Sequence, residues 1–353
     1  MKVTKLTLKN FRNFATQDFV FADTTLIQGL NASGKSTIIE ALELLSKSDS
    51  HRAEHDVEFI ALTKDTAHIS CDCEGPMGKV KLEIAFQKDP KNENLARKRY
   101  KVNGIARTMA GFVGNMLTVS FTPLDLELVT DGPQVRRRFL DGVLSQTSKV
   151  YRRANLNLKN IIRNRNKILE KINKEGRGYD EIDFWNAELL RASEIVHTER
   201  IKFITMVNQS ASDYASKLHA KACELTIRYK QSEVTPKRLE EYRSKEIAAK
   251  STLIGPTRDD FTLDLNSVDL LKFGSRGQQR TGVLSLKLCE TEYIEQITQQ
   301  KPILLLDDIF SELDEPHRKS IEKIVSRQQT IITSTNPDPA QIHAQSQIVL
   351  TSF

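Results

Sequence analysis

The sequence predicts an α/β protein in which a mixed sheet with a glycine-rich loop and an antiparallel β lobe are interrupted by an inserted α-helical domain. Three observations support this. A strand, a glycine-bounded loop and a helix follow one another near residues 25–45, strand-like alternation recurs between 80 and 107, and helical periodicity runs from 135 to about 250. We therefore expect segments 1–134 and 251–353 to form the α/β part and 135–250 the insertion.

The composition excludes several classes of protein. The chain has 353 residues, with 52 Lys plus Arg against 46 Asp plus Glu, which is enough for two or three substructures with their own cores. No apolar run is longer than four residues, against the roughly 20 of a membrane helix, and no leading segment resembles a signal peptide. The four cysteines have neither CxxC nor zinc spacing. We expect a cytoplasmic protein without a membrane partner, a disulfide framework or a structural zinc.

The first element is a short strand, Thr25 to Gln28, followed by a loop and then by a helix with apolar residues at helical spacing. The loop fits GxxxxGK[ST], the pattern whose backbone amides cradle phosphates at a helix N-terminus. Its lysine neutralises phosphate oxygens, and its serine hydroxyl can ligate Mg²⁺. The predicted nucleotide-binding residues are Gly29, Leu30, Asn31, Ala32, Ser33, Gly34, Lys35, Ser36 and Thr37.

The β lobe comes next, and the helical region follows it. Val80, Leu82, Ile84 and Phe86 alternate with more polar residues, and Asn103-Gly104 is a strong hairpin signal. From 135 onward the apolar residues recur at helical intervals.

The α/β elements then resume and supply a second half of the site. The apolar strand Ile303 to Leu306 ends in Asp307 and Asp308, at the strand end where open α/β sheets bind ligands. We expect Asp307 to bind Mg²⁺ together with Ser36, and Asp308 to orient the attacking water. Because Asp is shorter than Glu, the predicted hydrolysis is slow.

About 30 residues before this strand, Ser275-Arg276-Gly277-Gln278-Gln279-Arg280 precedes a predicted helix. Alone, this pattern indicates a turn and a helix cap. In order with the phosphate loop, the Asp-Asp strand and Ser311-Glu312-Leu313-Asp314, it resembles the ABC-type ATPase heads of the SMC and RecF group. Segments 8–14, 136–141 and 255–260, which read LKNFRNF, RRRFLD and GPTRDD, narrow the resemblance to the RecF family of bacterial recombination mediators.

The resemblance implies that two ATP molecules are sandwiched in a head-to-tail homodimer. Ser275, Gly277 and Gln278 of one subunit would then complete the phosphate site of the other, and residues 311–314 would lie across the seam. It also implies duplex DNA near gap edges as the substrate, single-stranded DNA as a further candidate, and RecR and RecO as partners in loading RecA during DNA repair and SOS induction.

Four positions depart from the family pattern or have an open role. Ala32 stands where the family has Gly, and Leu124 stands where it has Glu. No switch histidine follows the last strand, so Thr335 either contacts the γ-phosphate or simply ends the strand. Arg12 either lies near the phosphates or is an arginine in solvent or at the edge of the core.

The insertion carries the strongest concentration of charge. Between Arg136 and Arg177 there are 13 Lys or Arg against three acidic residues. Such a surface favours salt-dependent contacts with phosphates, without direct reading of bases. The predicted contacts lie on one helix: Arg152, Arg153, Lys159, Arg163, Arg165 and Lys167. A merely solvated helical face is the alternative.

Three other functions are compatible with parts of the pattern. A transporter ATPase would place Ser36 and Ser275 much closer together, and a small-metabolite kinase has no need of the SRGQQ stretch or the Asp-Asp strand. A RecF-like or SMC-like ATPase of a mobile element or defence system has the same motifs. Co-purification with a RecR-type partner distinguishes this last alternative.

Overall fold

The computed structural model describes residues 1–50, 52–75, 78–219, 221–309, 318, 327–335 and 344–351. The chain forms two compact units. The first contains Met1–Asp125, Lys217–Ala220 and Glu290–Phe353, and the second contains Leu126–Ser216 and Lys221–Cys289. The domain boundaries expected at residues 134 and 250 stay predictions.

The first unit contains an antiparallel sheet of six strands in the order β2-β1-β4-β5-β6-β7. Asn103 and Gly104 both have positive φ and close the β6–β7 hairpin, as the sequence predicts. Its strands are β1 Lys2–Phe11, β2 Phe14–Val20, β4 Thr66–Gly75, β5 Gly78–Asp89, β6 Asn92–Val102 and β7 Ile105–Arg107. Strand β3, Thr24–Gly29, belongs to a second sheet.

The second sheet of this unit positions the candidate site. It is fully parallel, with the order β14-β3-β13-β12-β8, so the carboxyl ends of its strands share one edge. Its remaining strands are β8 Thr118–Phe121, β12 Ile303–Asp307, β13 Thr330–Ser334 and β14 Ser346–Leu350. Strands β12 and β13 are buried almost throughout, as expected where helices cover a parallel sheet.

Among the described residues, two α-helices lie wholly within the first unit: α1 Lys35–Lys47 and α2 Met109–Phe112. Helix α1 buries Ile38, Ile39, Leu42 and Leu45, whose spacing places them on the face toward the sheet. These residues join Leu305 and Ile331 in one core cluster with side chains of the antiparallel sheet. The phosphate loop is therefore held between a buried strand and a buried helix.

The second unit is mainly helical. Its antiparallel sheet, β11-β10-β9, consists of β9 Leu225–Lys230, β10 Asp260–Leu265 and β11 Val268–Asp269. Strand β9 falls within the stretch that the sequence suggested to be helical, and it pairs with β10 along its whole length. The remaining α-helices of the described chain are α3 Glu127–Thr130, α4 Pro133–Thr147, α5 Lys149–Glu175, α6 Tyr179–His219, α7 Pro236–Ala249, α8 Leu270–Phe273 and α9 Arg276–Thr298. The last residues of α6, from Lys217, and of α9, from Glu290, are assigned to the first unit.

These elements confirm the predicted α/β fold with an antiparallel lobe and an interrupting helical region. In the described part of the chain, no helix combines the length and the apolar content that a bilayer crossing requires.

Candidate nucleotide-binding site

The loop between β3 and α1 folds back on itself around the lysine. Lys35 is only 7% exposed, and its Nζ donates to the backbone oxygens of Gly29 at 2.7 Å and Leu30 at 2.9 Å. Ser33 N donates to Leu30 O at 3.2 Å, which tightens the turn. The ammonium group is thus held within the loop, where it can exchange carbonyl partners for phosphate oxygens.

Two residues of the loop have left-handed backbone. Gly34 has a φ of 93°, and an added Cβ would come within 2.7 Å of the Phe14 ring, so only glycine fits there. Ala32 has a φ of 64°, a conformation that alanine adopts only at a steric cost. Ala32, which stands where the family has Gly, therefore keeps the left-handed conformation of the loop, and its backbone is strained.

The polar groups of the loop fit a phosphate ligand. Ser33 is 1% exposed, and its buried hydroxyl has no hydrogen-bond partner among the described residues. A buried polar group without a partner is costly, and it is common where a ligand or water completes the bonding. Asn31 and Leu30 are exposed, while Thr37 N continues the helix by donating to Gly34 O at 3.0 Å. The start of α1 adds its positive dipole end.

Ser36 and Asp307 lie together although 271 residues separate them. The Ser36 hydroxyl donates to Asp307 Oδ1 at 2.9 Å, and Thr333 Oγ1 donates to the same oxygen at 2.6 Å. This arrangement follows from the parallel pairing of β12 between β8 and β13, which brings the strand end beside the start of α1. A hydroxyl and a carboxylate are ligands that Mg²⁺ accepts, and nucleotide phosphates and water can supply the rest.

Asp308 follows Asp307 with left-handed backbone, at a φ of 51°. Its N–H donates to Thr333 Oγ1 at 3.0 Å and to Thr333 O at 3.2 Å, so the hydroxyl that holds Asp307 also fixes Asp308. Thr335 is exposed beyond the end of β13. The expected seam residues 311–314 lie outside the described residues.

Ser275 is the N-cap of α9. Its Oγ accepts from Gln278 N at 3.3 Å, and its own N–H donates to Gln278 Oε1 at 2.9 Å, which is a capping box. Ser275 and Gly277 are exposed, and a Cβ added to Gly277 would meet nothing within 4 Å among the described residues. Packing against the described residues therefore does not explain why glycine stands at position 277.

Arg12 is engaged within the first unit. Its guanidinium forms two hydrogen bonds, of 2.8 and 3.0 Å, with the carboxylate of Glu40, a residue of α1 that is 1% exposed. It also lies over the ring of Phe59, 5.2 Å from the centroid. Of the two roles left open by the sequence, the structure favours the arginine at the edge of the core.

Two of the six predicted phosphate contacts on α5 are wrong. Arg152 is 7% exposed, and its Nε donates to Ser145 O at 2.6 Å. Arg165 is 2% exposed and forms a 2.6 Å ion pair with the buried Glu246. Both side chains stabilise the packing of helices in the second unit, because a buried guanidinium must find acceptors there. The other four predicted contacts, Arg153, Lys159, Arg163 and Lys167, are exposed.

A buried ionic network that the sequence did not reveal lies in the second unit. Asp259, which is fully buried, accepts from Arg200 Nη1 at 2.7 Å and from Ser232 N at 2.7 Å, and also from the Tyr229 hydroxyl. His197 Nε2 is 3.3 Å from Asp259 Oδ1, the oxygen that also accepts from Ser232 N. Burial raises the pKa of Asp259, but the bond from His197 and the charge of Arg200 outweigh it, so the pKa falls below its usual value.

The combination of a parallel sheet, a phosphate loop at the end of β3 and an antiparallel lobe defines the class of protein as an ABC-type ATPase head. The AAA ATPase domain family matches residues 1–236. Two SMC head structures, one of them from Pyrococcus furiosus, share the fold at TM-scores of 0.53 and 0.54 and 14% identity, with at least 97% of this chain and 90% of theirs covered.

Within this class the chain belongs to the RecF family. The DNA replication and repair protein RecF of Lachnoclostridium phytofermentans is 34% identical over 95% of this chain and 93% of its own length. RecF of Herpetosiphon aurantiacus is 34% identical over 99% and 97%. A solved structure of the recombination mediator RecF with ATP, from the RecFOR pathway, superposes at a TM-score of 0.87 with 31% identity, covering 95% of this chain and 92% of that one.

Proposed function

We propose that this protein is an ATP-dependent, DNA-binding recombination mediator that dimerises on ATP. In this proposal it binds duplex DNA near gaps and acts with RecR and RecO to load RecA in DNA repair and SOS induction. The observation that carries the proposal is the meeting of Ser36 Oγ and Asp307 Oδ1 at 2.9 Å beside the lysine of the phosphate loop. Family membership and the RecF–ATP structure support it.

The chemistry follows from the groups around the loop. Lys35 and the amides at the start of α1 neutralise the phosphates of ATP. Ser36 and Asp307 hold Mg²⁺, which neutralises charge on the β- and γ-phosphate oxygens when it is bound. Asp308 accepts a proton from the attacking water. Because its carboxylate is one methylene shorter than that of Glu, turnover is slow, and we expect DNA to stimulate it.

The capping box at the start of α9 in one subunit completes the nucleotide site of the other subunit. Ser275 Oγ already accepts the Gln278 N–H, and in the described part of the chain its hydroxyl donates to no acceptor. A hydroxyl donor, the exposed Gly277 and the N-terminus of α9 together suit the γ-phosphate bound by a second subunit. ATP therefore holds two protomers together, and each protomer lacks half of a complete site.

Duplex DNA binds to a stripe of positive charge on α5, formed by Arg153, Lys159, Arg163 and Lys167. At 3.6 residues per turn they share about one third of the helix circumference, and they span about 21 Å, or about six base pairs. Among the described residues, none of the four forms an ion pair with a carboxylate. By contrast, Lys171 and Lys174 near the end of the helix are paired with Glu181 and Glu170.

The proposal is tested by size-exclusion chromatography with light scattering, with and without ATP. We expect wild type to form dimers with ATP, and both Lys35→Met and Ser275→Arg to stay monomeric. Lys35→Met loses the nucleotide, whereas Ser275→Arg keeps it and blocks closure, so a fluorescent ATP analogue distinguishes the two. A dimer of all three proteins without nucleotide would contradict the proposal.

DNA and ATP should strengthen each other's binding, since a ligand that favours the closed dimer is favoured by it in return. Titration of the fluorescent analogue with and without a duplex measures this coupling. Equal affinities would remove the link between dimerisation and DNA.

A further inference from the structure

The RRRFLD and GPTRDD segments, residues 136–141 and 255–260, meet in the second unit. Arg136 forms a two-pronged ion pair with Asp260, with its shorter bond at 2.6 Å. Arg200 bridges Asp259 at 2.7 Å and Asp141 at 2.8 Å. These contacts are buried or half-buried, so they fix the backbone of both segments. Two other arginines of the same segments, Arg137 and Arg258, take no part in these ion pairs.

Within the part of the chain that the structure describes, Arg137 and Arg258 are bonded only to backbone oxygens. Arg137 is half-buried and its Nη1 donates to Asp259 O at 2.9 Å, while the exposed Arg258 donates from Nη2 to Thr252 O at 3.1 Å. Among the described residues, neither guanidinium lies within ion-pair distance of a carboxylate. A guanidinium has five N–H donors, so each retains donors for an additional acceptor.

Arg137 and Arg258 belong to neighbouring positions, because Arg137 bonds the backbone oxygen of Asp259, the residue that follows Arg258. Partial burial lowers the pKa of Arg137, and the positive charges of Arg200 and Arg258 act in the same direction, while the carboxylates of Asp260 and Asp259 offset only part of the decrease. The ion pairs of Arg136 and Arg200 fix the two segments that carry these like charges. Gly255, with a φ of 99°, allows the turn before Pro256. An anion shared by the two groups would relieve the repulsion.

We infer that Arg137 and Arg258 form a binding site for a phosphate oxyanion of DNA. Two planar guanidinium groups on a rigid support match the oxygens of a phosphate, which an Arg can contact with two parallel N–H bonds. The inference rests on the proposed function for the nature of the ligand. The same chemistry fits a backbone phosphodiester and the terminal phosphate of a recessed strand.

The test uses the full chain with ATP, Mg²⁺ and a fluorescent duplex, followed by anisotropy between 50 and 200 mM salt. For Arg258→Gln we expect affinity to fall about five- to tenfold near 0.1 M salt, and the slope of log K against log salt to become shallower by about 0.9, the value for one phosphate contact. The matched control is Arg191→Gln, which removes an exposed arginine of the same unit that already has Glu188 as a partner at 2.6 Å. It should change neither quantity.

Arg258→Lys keeps the charge but loses the planar fork, and we expect an intermediate affinity with the wild-type slope. If Arg258→Gln has a lowered midpoint of thermal unfolding, the affinity and slope of Arg258→Lys provide the test of the phosphate contact instead. Duplexes with closed hairpin ends, compared with 5′-phosphorylated and 5′-hydroxyl ends, distinguish a backbone phosphate from a terminal one.

Wild-type affinity and slope in both Arg258 variants would overturn the inference while leaving the proposed function intact. Failure of the wild type to bind any duplex would instead contradict the proposed function. Binding of the fluorescent ATP analogue should be the same in Arg258→Gln as in wild type, because the substitution is not in the nucleotide site.

Discussion

Two aspartates of this protein are surrounded by donors, but by donors of different kinds. Asp307 is half-exposed at a strand end and accepts from the hydroxyls of Ser36 and Thr333. Asp259 is fully buried and accepts from a guanidinium, a tyrosine, a backbone amide and a histidine. Hydroxyl donors can rotate away and let a cation approach, whereas a buried guanidinium cannot leave without exposing an unpaired charge.

The comparison indicates which charged clusters bind ligands and which hold the fold together. A carboxylate bonded only to hydroxyls, or an arginine bonded only to carbonyls, retains much of its capacity for a ligand. A cluster in which opposite charges are already paired has little left. Three substitutions test this distinction, and a fourth tests the backbone strain of the phosphate loop.

Asp259→Ala should have the largest effect, because it leaves Arg200, which is 2% exposed, without its main buried partner. Breaking a buried pair costs about 3–5 kcal/mol, so the midpoint of thermal unfolding should fall by several degrees. The control is Glu181→Ala, which removes the exposed partner of Lys171 and should leave the midpoint unchanged. Equal midpoints for the two variants would mean that the network does not stabilise the fold.

Asp307→Asn should behave in the opposite way. Asparagine can still accept from Ser36 and Thr333, so the unfolding midpoint should stay close to that of wild type. If Asp307 binds Mg²⁺ as proposed, loss of its charge should slow ATP hydrolysis on the order of 100-fold or more, since a bound metal stabilises a transition state by several kcal/mol. A steady-state ATPase assay measures this, and retained Mg²⁺-dependent turnover would remove Asp307 from the site.

Lys35→Met should weaken ATP binding roughly 10- to 150-fold, corresponding to about 1.5–3 kcal/mol for bonds to a charged group. Lys47→Met is the matched control on the same helix, where Lys47 lies 3.9 Å from Glu43. Titration with a fluorescent ATP analogue should find the control unchanged. Similar losses in both variants would point to helix α1 as a whole and away from the loop lysine.

Ala32→Gly should have the smallest effect. Glycine removes the steric cost of the left-handed conformation but adds flexibility to the unfolded chain, so we expect a net stabilisation of about 0.5–1 kcal/mol. Chemical denaturation measures it, with Ala41→Gly in the middle of α1 as a control that should destabilise. A loss of stability in Ala32→Gly would show that the loop is not strained at this residue.

Local patterns made the nucleotide site predictable. A glycine-bounded loop between an apolar strand and an amphipathic helix has few alternative folds, and the continuous apolar run Ile303–Leu306 predicts a buried strand that delivers the following carboxylates at its end. The roles proposed for these residues stay predictions until substitutions test them.

The second unit was harder to predict, for physical reasons. Helix α5 carries basic residues around much of its circumference, and composition does not reveal that Arg165 faces the buried Glu246 while Lys167 faces solvent. Strand β9 has only six residues and depends on pairing with β10. Strand β10 begins at Asp260, 35 residues after the start of β9 at Leu225. Partners such as Arg136 and Asp260, 124 residues apart, become visible only in three dimensions.

The most direct test of the account is the ATPase rate per protomer measured over a wide range of protein concentration. If each nucleotide site is completed by Ser275 and Gly277 of a second subunit, the rate per protomer should rise with concentration and level off when the dimer is saturated. Ser275→Arg should remove the rise. A rate per protomer that is independent of concentration, and the same in wild type and Ser275→Arg, would contradict the claim that two chains build each site.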